Sequence, residues 1–356
     1  MRHDLYRPFG PLGYREVQLP ALREAPDRLL TAGPSDLKQD DDEAYPPLHY
    51  VDIAEVPTLI CYPVNHTGPN PQNNNKTRVV AIIPARYEST RLPGKALLEI
   101  AGKPMICLVV ERALAAGNVD RAIVATDDQR IFNAVNSAGY EAVMTRRDHT
   151  SGTDRVAEVA ATLADVEIVV NVQGDEPLIS ARTIEDAVRE LENDPQAGIV
   201  TTWESMGSAA DVLNPDVVKI VIDDRGRAIY FSRSPVPYPR DAARKHGTLA
   251  NALQNEPALL ATFRKHTGLY VYRRDVLLEF TNWPQAELER LESLEQLRAL
   301  AHGVEIKAIE ASSRSIGVDT ASDLERVRSI VEEEARSSES KLQLAARQES
   351  NLKVGL

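Results

Sequence analysis

The rhythm of hydrophobic and polar positions changes sharply at Arg78. Just after it, Val79-Val80-Ala81-Ile82-Ile83 forms a continuous apolar run closed by Pro84, the pattern of a strand buried on both faces. Pro104 to Ala116 then shows helical periodicity, with Pro104 suited to a first turn and Gly117 to a stop. The alternation continues. Strands are predicted at Arg121 to Thr126, Glu141 to Met144 and Glu167 to Val172, and helices at Gln129 to Ala138, Thr153 to Leu163 and Thr183 to Leu191. Next, Val217 to Ile222 and Arg227 to Phe231 flank Asp223-Asp224-Arg225-Gly226 and read as a hairpin. A strand at Lys265 to Tyr272, helices at Asp275 to Phe280 and Leu291 to Ala301, and a strand at Val304 to Ile309 follow. A last helix begins near Asp319 and runs to about Arg336, with a possible continuation to Arg347. Such alternation predicts an α/β fold: a mixed, mostly parallel sheet with helices on both faces, plus a smaller β-rich subregion inserted at about 205–275.

Composition divides the chain further. Residues 1–77 hold 11 of the 22 prolines, the acidic run Asp40 to Glu43 and the polar run Asn70 to Lys76. Proline at that density breaks helices and central strands alike, so a disordered extension is expected there. The main domain is expected over 78–336 and a loose tail over 337–356. A net charge of -12 argues against a broad nucleic-acid-binding surface. Two cysteines, Cys61 and Cys107, are too few for a disulfide framework. No signal-peptide core or apolar run of membrane-spanning length stands out, so a soluble cytoplasmic protein without a membrane partner is expected.

Candidate chemistry begins at Pro84-Ala85-Arg86-Tyr87-Glu88-Ser89-Thr90-Arg91-Leu92-Pro93-Gly94-Lys95, directly after the first buried strand. Open α/β sheets bind ligands at that edge. Arg86, Arg91 and Lys95 place three cations on one loop, with Ser89 and Thr90 as further donors, which suits a triphosphate better than a merely solvated basic loop. A P-loop is excluded, because glycine and Ser/Thr are needed where Ser89 and Ala96 stand. A second motif, Asn171-Val172-Gln173-Gly174-Asp175-Glu176-Pro177, ends another buried strand. Gly174 permits a tight turn there, and the Asp175 carboxylate is suited to a hard cation such as Mg2+.

These segments resemble the signature of the 3-deoxy-manno-octulosonate cytidylyltransferases, or CMP-Kdo synthetases, over about Arg78 to Arg328. The resemblance implies a fold like that of the nucleotide-diphospho-sugar transferases. It implies transfer of CMP from CTP to the anomeric hydroxyl of 3-deoxy-D-manno-octulosonate (Kdo), releasing pyrophosphate, for lipopolysaccharide-type glycan synthesis. It also implies Mg2+ held by Asp175 and Asp319, catalysis with Lys95, Arg86, Arg91 and Asp175, and a homodimer. Asp319, in Gly317-Val318-Asp319-Thr320, has an alternative role as a helix N-cap.

The implied nucleotide contacts are Ala85, Arg86, Ser89, Thr90, Arg91, Lys95, Arg147, Ser151, Gly152 and Thr153. The last four belong to Thr145 to Arg155, where small residues and N–H groups at a helix start suit close contact with a base or phosphate. His149 in that stretch also reads as an ordinary surface-loop histidine. Asp154 stands where many members carry Glu. The implied sugar contacts are Gln173, Arg233, His266, Tyr270, Glu295 and Gln296. Arg233 offers a fork for the Kdo carboxylate. Tyr270 also reads as core, and Glu295 as a solvated helix face. Lys265 replaces a frequent Arg, which changes a planar fork to a point charge.

No Ser-His-Asp or Cys-His nucleophile is evident, so positioning and charge neutralisation carry the expected in-line displacement. The alternatives are a cytidylyltransferase for sialic acid or 8-amino-Kdo, a nucleotide-sugar-dependent glycosyltransferase, and a non-catalytic nucleotide sensor. The sugar-site residues separate the first, pyrophosphate release the second, and loss of Lys95 or an aspartate would mark the third.

Overall fold

The computed structural model describes residues 78–89, 91–334 and 336. The extension expected over 1–77, the tail over 337–356 and any continuation of the last helix to Arg347 lie outside the described residues, as does Thr90.

β1 (Val79–Ala85) is the strand expected from the apolar run. Val79, Ala81 and Ile83 face one layer and Val80 and Ile82 the other, each at most 1% exposed. A short hairpin, β2 (Glu99–Ile100) and β3 (Lys103–Pro104), leads into α1 (Met105–Leu114). There follow β4 (Arg121–Thr126), α2 (Gln129–Ser137), β5 (Glu141–Met144), α3 (Gly152–Ala161), β6 (Ile168–Asn171) and α4 (Ala181–Asn193). The second half runs β7 (Ala197–Ser205), α5 (Ala209–Leu213), β8 (Lys219–Ile222), β9 (Ala228–Ser232), α6 (Arg240–Lys245), α7 (Leu249–Asn255) and β10 (Arg264–Arg273). It continues with α8 (Arg274–Phe280), α9 (Glu287–Glu292), α10 (Gln296–Ala301), β11 (Glu305–Glu310) and α11 (321–334).

The strands order as β11-β7-β10-β6-β1-β4-β5, with the β8–β9 hairpin attached to β10. Along that path β10 alone runs against its neighbours; the other strands are parallel. Helices α1, α2 and α4 cover one face, and α3, α8 and α10 the other. Removing each large apolar side chain from water is worth roughly 1.5–3 kcal/mol, so these two layers hold helices too short to stand alone. The inserted subregion carries the hairpin and three short helices, with its own core of Met206, Val212, Ala243, Leu249, Leu253 and Phe263.

The sequence pattern does not predict β2, β3, α5, α6 or α7, and it departs further from the structure at β7 and at one broken helix. β7 is absent from the pattern, because Gly198, Thr201, Thr202 and Glu204 interrupt the apolar run. Gly198 is required by packing: a Cβ there would lie 2.8 Å from Val304 Cγ1. The helix expected over Leu291 to Ala301 is broken. Ser293 adopts a left-handed φ of 52°, ending α9 and letting α10 start on a new axis.

The topology gathers one edge. β1, β4, β5, β6, β7 and β11 all end there, and β10, running opposite, begins there.

Candidate active site

Leaving β1, the chain turns back so that Gly94 N–H donates to the Tyr87 carbonyl at 3.0 Å. Gly94 has φ +69°, and a Cβ there would press on the Tyr87 ring at 3.1 Å. The Arg130 guanidinium stacks on that ring, 3.2 Å from its centroid. This fold of the loop delivers Lys95. Its ammonium donates to Asp175 Oδ2 at 2.5 Å, Asp319 Oδ1 at 3.2 Å and the Val318 carbonyl at 3.3 Å. Arg91 lies 3.4 Å from the other Asp319 oxygen. Burial acts to lower the Lys95 pKa, but the Asp175 and Asp319 charges outweigh it and raise it above the ordinary value.

The two carboxylates come from distant segments joined by backbone. Val318 N–H donates to the Asp175 carbonyl at 2.8 Å. Gly174 serves a close approach here: a Cβ would sit 2.7 Å from the Pro84 carbonyl oxygen. Asp319 is freed from capping by its neighbours. Thr320 Oγ1 accepts from Asp323 N–H at 3.2 Å, and Asp323 Oδ2 accepts from Thr320 N–H at 2.9 Å and Asp319 N–H at 3.2 Å. The N-cap alternative for Asp319 therefore falls to Thr320. Beside them, burial and then the Asp175 charge push the Glu176 carboxyl up to about 7.

Two carboxylates converging on one ammonium are donors that a hard divalent cation accepts, and one or two carboxylates plus substrate phosphates is a usual magnesium arrangement. Among the described residues no group of three or more His, Cys, Asp or Glu is suited to hold a metal. The residues present thus fit an ion whose remaining ligands come from phosphate and water.

The loop from Thr145 to Arg155 is more firmly tied than the sequence suggests. Arg86 donates to the His149 carbonyl at 2.6 Å and the Ser151 carbonyl at 3.4 Å. Arg155 is fully buried, donating to Asp127 Oδ2 at 2.7 Å and to Thr145. Ser151 and Asp154 form a capping box, so the Ser151 N–H is already taken by the Asp154 carboxylate at 3.0 Å. His149 is not a surface-loop histidine: its side chain is 5% exposed and paired with Glu158. Gly152 packs against Pro84, while Arg147 is exposed. The buried Thr153 hydroxyl donates to the Glu295 carboxylate, linking the expected nucleotide segment to the expected sugar segment.

On the sugar side, β10 shifts register against β7 between His266 and Tyr270. Gln173 Nε2 donates to the Gly268 carbonyl within that bulge at 3.2 Å. His266 Nε2 lies 2.9 Å from Thr201 Oγ1, whose own proton goes to the Leu269 carbonyl at 2.8 Å, so the imidazole donates through Nε2. Burial, then the Lys265 charge, lowers the His266 pKa to about 3, leaving a neutral ring. Its edge meets Phe231, and Tyr270 lies 5.3 Å away between ring centroids. Tyr270 is 6% exposed and Gln296 5%, and burial pushes the Tyr270 phenol well up. Burial also raises the Glu295 pKa, against the Thr153 bond, so Glu295 is not a solvated helix face. Arg233 also has partners within the chain. Its guanidinium closes the carbonyls of Glu292, Pro215 and Ser293 at 2.6, 3.1 and 3.3 Å, and it holds the α9–α10 joint.

The cytidylyltransferase family profile matches residues 80–306. The 3-deoxy-manno-octulosonate cytidylyltransferase of Geobacter sulfurreducens is 50% identical over 249 residues, 70% of this chain and 97% of that protein. The chain belongs to the 3-deoxy-manno-octulosonate cytidylyltransferase family. The family member from Syntrophotalea carbinolica is 49% identical over 249 residues, covering 70% of this chain and 96% of its own length. The one from Escherichia coli is 44% identical over 258 residues, covering 72% and 98%. A solved structure of CMP:2-keto-3-deoxy-manno-octonic acid synthetase complexed with CTP aligns with TM-score 0.65 at 44% identity, over 72% of this chain and all of that one. Glu204, Lys219 and Glu289 are buried charged residues that the sequence pattern does not single out. Glu204 lies on the unpredicted β7, and a lone acidic residue beside Ile199, Val200, Thr201, Thr202 and Trp203 is its signal.

Proposed function

We propose that this chain transfers CMP from CTP to the anomeric hydroxyl of Kdo, with Mg2+ as the divalent cation. The observation that carries the reading is the meeting of Lys95, Asp175 and Asp319 at the carboxyl edge of the sheet. Lys95 and Arg91 hold the phosphates, and Arg86 braces the Thr145 to Arg155 loop that receives the nucleotide. Asp175 and Asp319 hold the cation. When bound, it neutralises charge on the α-phosphate and pyrophosphate and favours loss of the hydroxyl proton.

The anomeric hydroxyl gives its proton to solvent, and its oxygen forms a bond to the α-phosphorus as the bond to the bridging oxygen breaks and pyrophosphate leaves with the electron pair. The chain's own contribution is to hold the reactants in line and to keep compensating charge in place. Arg233, His266, Tyr270, Glu295, Gln296 and Gln173 orient the sugar. Family membership and Asp175, Asp319 and Lys95 together favour nucleotidyl transfer over a glycosyltransferase or a passive sensor. We further assign a homodimer, a cytoplasmic location, and domain limits of 78–336 for the catalytic unit. Among the described residues no helix is long and apolar enough to cross a membrane.

The deciding experiment measures pyrophosphate release from CTP and Mg2+ with a panel of 3-deoxy-2-ulosonic acids. Kdo should be preferred over sialic acid and 8-amino-Kdo. Absence of pyrophosphate with Kdo would sink the assignment.

A further inference from the structure

We propose that Glu204 is a positioning residue that seats Asp319 and Lys265 together, fixing the metal end of the site relative to the sugar end. The proposal rests on the metal and sugar roles assigned above.

Glu204 is 6% exposed near the end of β7. A carboxylate so placed is costly unless its oxygens are partnered. Both are. Oε1 accepts from Ser315 N–H at 2.9 Å, and Oε2 accepts from the Lys265 ammonium at 3.3 Å. The partners belong to different parts of the site. Ser315 lies on the segment from β11 to Asp319. Lys265 precedes His266 on β10 and stands directly across the strand pair from Glu204.

The segment carrying Asp319 is held by the packing of Ile316 and Val318 with Ile100, Met105 and Leu324, by Arg314 donating to the Ser205 carbonyl at 3.4 Å, and by main-chain bonds. Ala311 N–H donates to the Trp203 carbonyl at 2.8 Å, Ser312 N–H to Thr183 Oγ1 at 3.0 Å, and Val318 N–H to the Asp175 carbonyl at 2.8 Å. Between Ser312 and Val318, Ser315 has the one main-chain N–H that meets a protein acceptor among the described residues, and that acceptor is Glu204. Removing it leaves a neutral donor and an ammonium without their shared acceptor. Glutamine separates the two arms. Its carbonyl still accepts from Ser315, while its amide group offers the Lys265 ammonium no negative charge.

The test uses the full chain. Mn2+ binding in the presence of CTP is followed by electron paramagnetic resonance, and kcat and KM for Kdo by pyrophosphate release. Glu204→Ala should weaken Mn2+ binding by roughly tenfold or more, the scale of lost outer-sphere support, and lower kcat. It should also raise KM for Kdo. Glu204→Gln should return Mn2+ affinity close to wild type while KM for Kdo stays raised. If the alanine variant shows no cooperative melt, Glu204→Met takes its place, since it fills a similar volume without an acceptor. Wild-type Mn2+ affinity and kcat in the truncated variant would overturn the proposal, and so would failure of glutamine to restore Mn2+ affinity. If the wild-type chain itself bound no Mn2+ with CTP, the metal reading would fall and the proposal with it. A wild type that binds Mn2+ beside unaffected variants refutes the role of Glu204 alone.

Discussion

Around Lys95 the charged groups are partly exposed and answer one another, whereas around His266 the polar groups are enclosed and answer the framework. The side chains of Lys95, Asp175, Asp319 and Arg91 are 18, 32, 49 and 69% exposed. Their pairs exchange readily when a polyanion and its cation arrive. His266 and Glu295 are bonded to Thr201 and Thr153, and Tyr270 and Gln296 are buried, so the proposed sugar contacts would need little reordering. In the proposed reaction the first region would meet the charge that changes and the second the shape of the sugar. Each prediction below challenges that division.

The largest effect should come from Asp175→Asn. Turnover should fall beyond the roughly 100-fold typical of losing an outer-sphere partner, with an unchanged circular-dichroism spectrum. Near-normal activity with CTP, Kdo and Mg2+ would place the reactive charge elsewhere. Next is the uncharged state of His266. Its pKa of about 3 lies below the ordinary value, so the unfolded chain takes up a proton there before the folded one does. Stability should therefore fall as pH drops from about 6.5 toward 3. Between pH 7 and 5 the wild type should lose up to about 2 kcal/mol more than His266→Asn, as read from urea melts. Equal slopes would mean that the folded ring takes up its proton over the same pH range as the unfolded one.

A smaller change should follow Thr153→Val, which removes the donor to Glu295. An acceptor left unpaired costs about 1–2 kcal/mol, so KM for Kdo should rise about tenfold, with CTP affinity less affected. The Thr153 bond also lowers the Glu295 pKa, so the acid limb of the pH–rate profile should move upward in the variant. An equal loss for both substrates would dissolve the boundary between the regions. The mildest test is Arg147→Ala. This exposed cation should change KM for CTP by only about threefold, less at high salt, with no change in melting temperature.

The charged region was legible in the sequence because cations and carboxylates at strand ends keep their meaning without a partner in view. Lys95, Asp175 and Asp319 do converge, although only coordinates show that Thr320 takes the capping role. The enclosed region was less legible. The three carbonyls that Arg233 meets are brought together by a chain reversal at Ser293, and nothing in local periodicity announces that residue's left-handed backbone. β7 was hidden for a related reason. Gly198 and the threonines that weaken its strand pattern are there to admit Val304 and to bond His266 and Thr267. Tertiary demands had overwritten the local signal.

The main-chain bond from Val318 to Asp175 makes the segment after β11 a ruler. Its near end is fixed by β11 and its far end by the carbonyl of the other metal-side residue. One inserted residue adds up to about 3.5 Å of chain, enough to carry Asp319 away from its partner carboxylate. Substitutions along 313–317 can be absorbed where the backbone path is kept. Changes in length cannot, so the loop's residue count, more than most of its letters, sets where Asp319 sits.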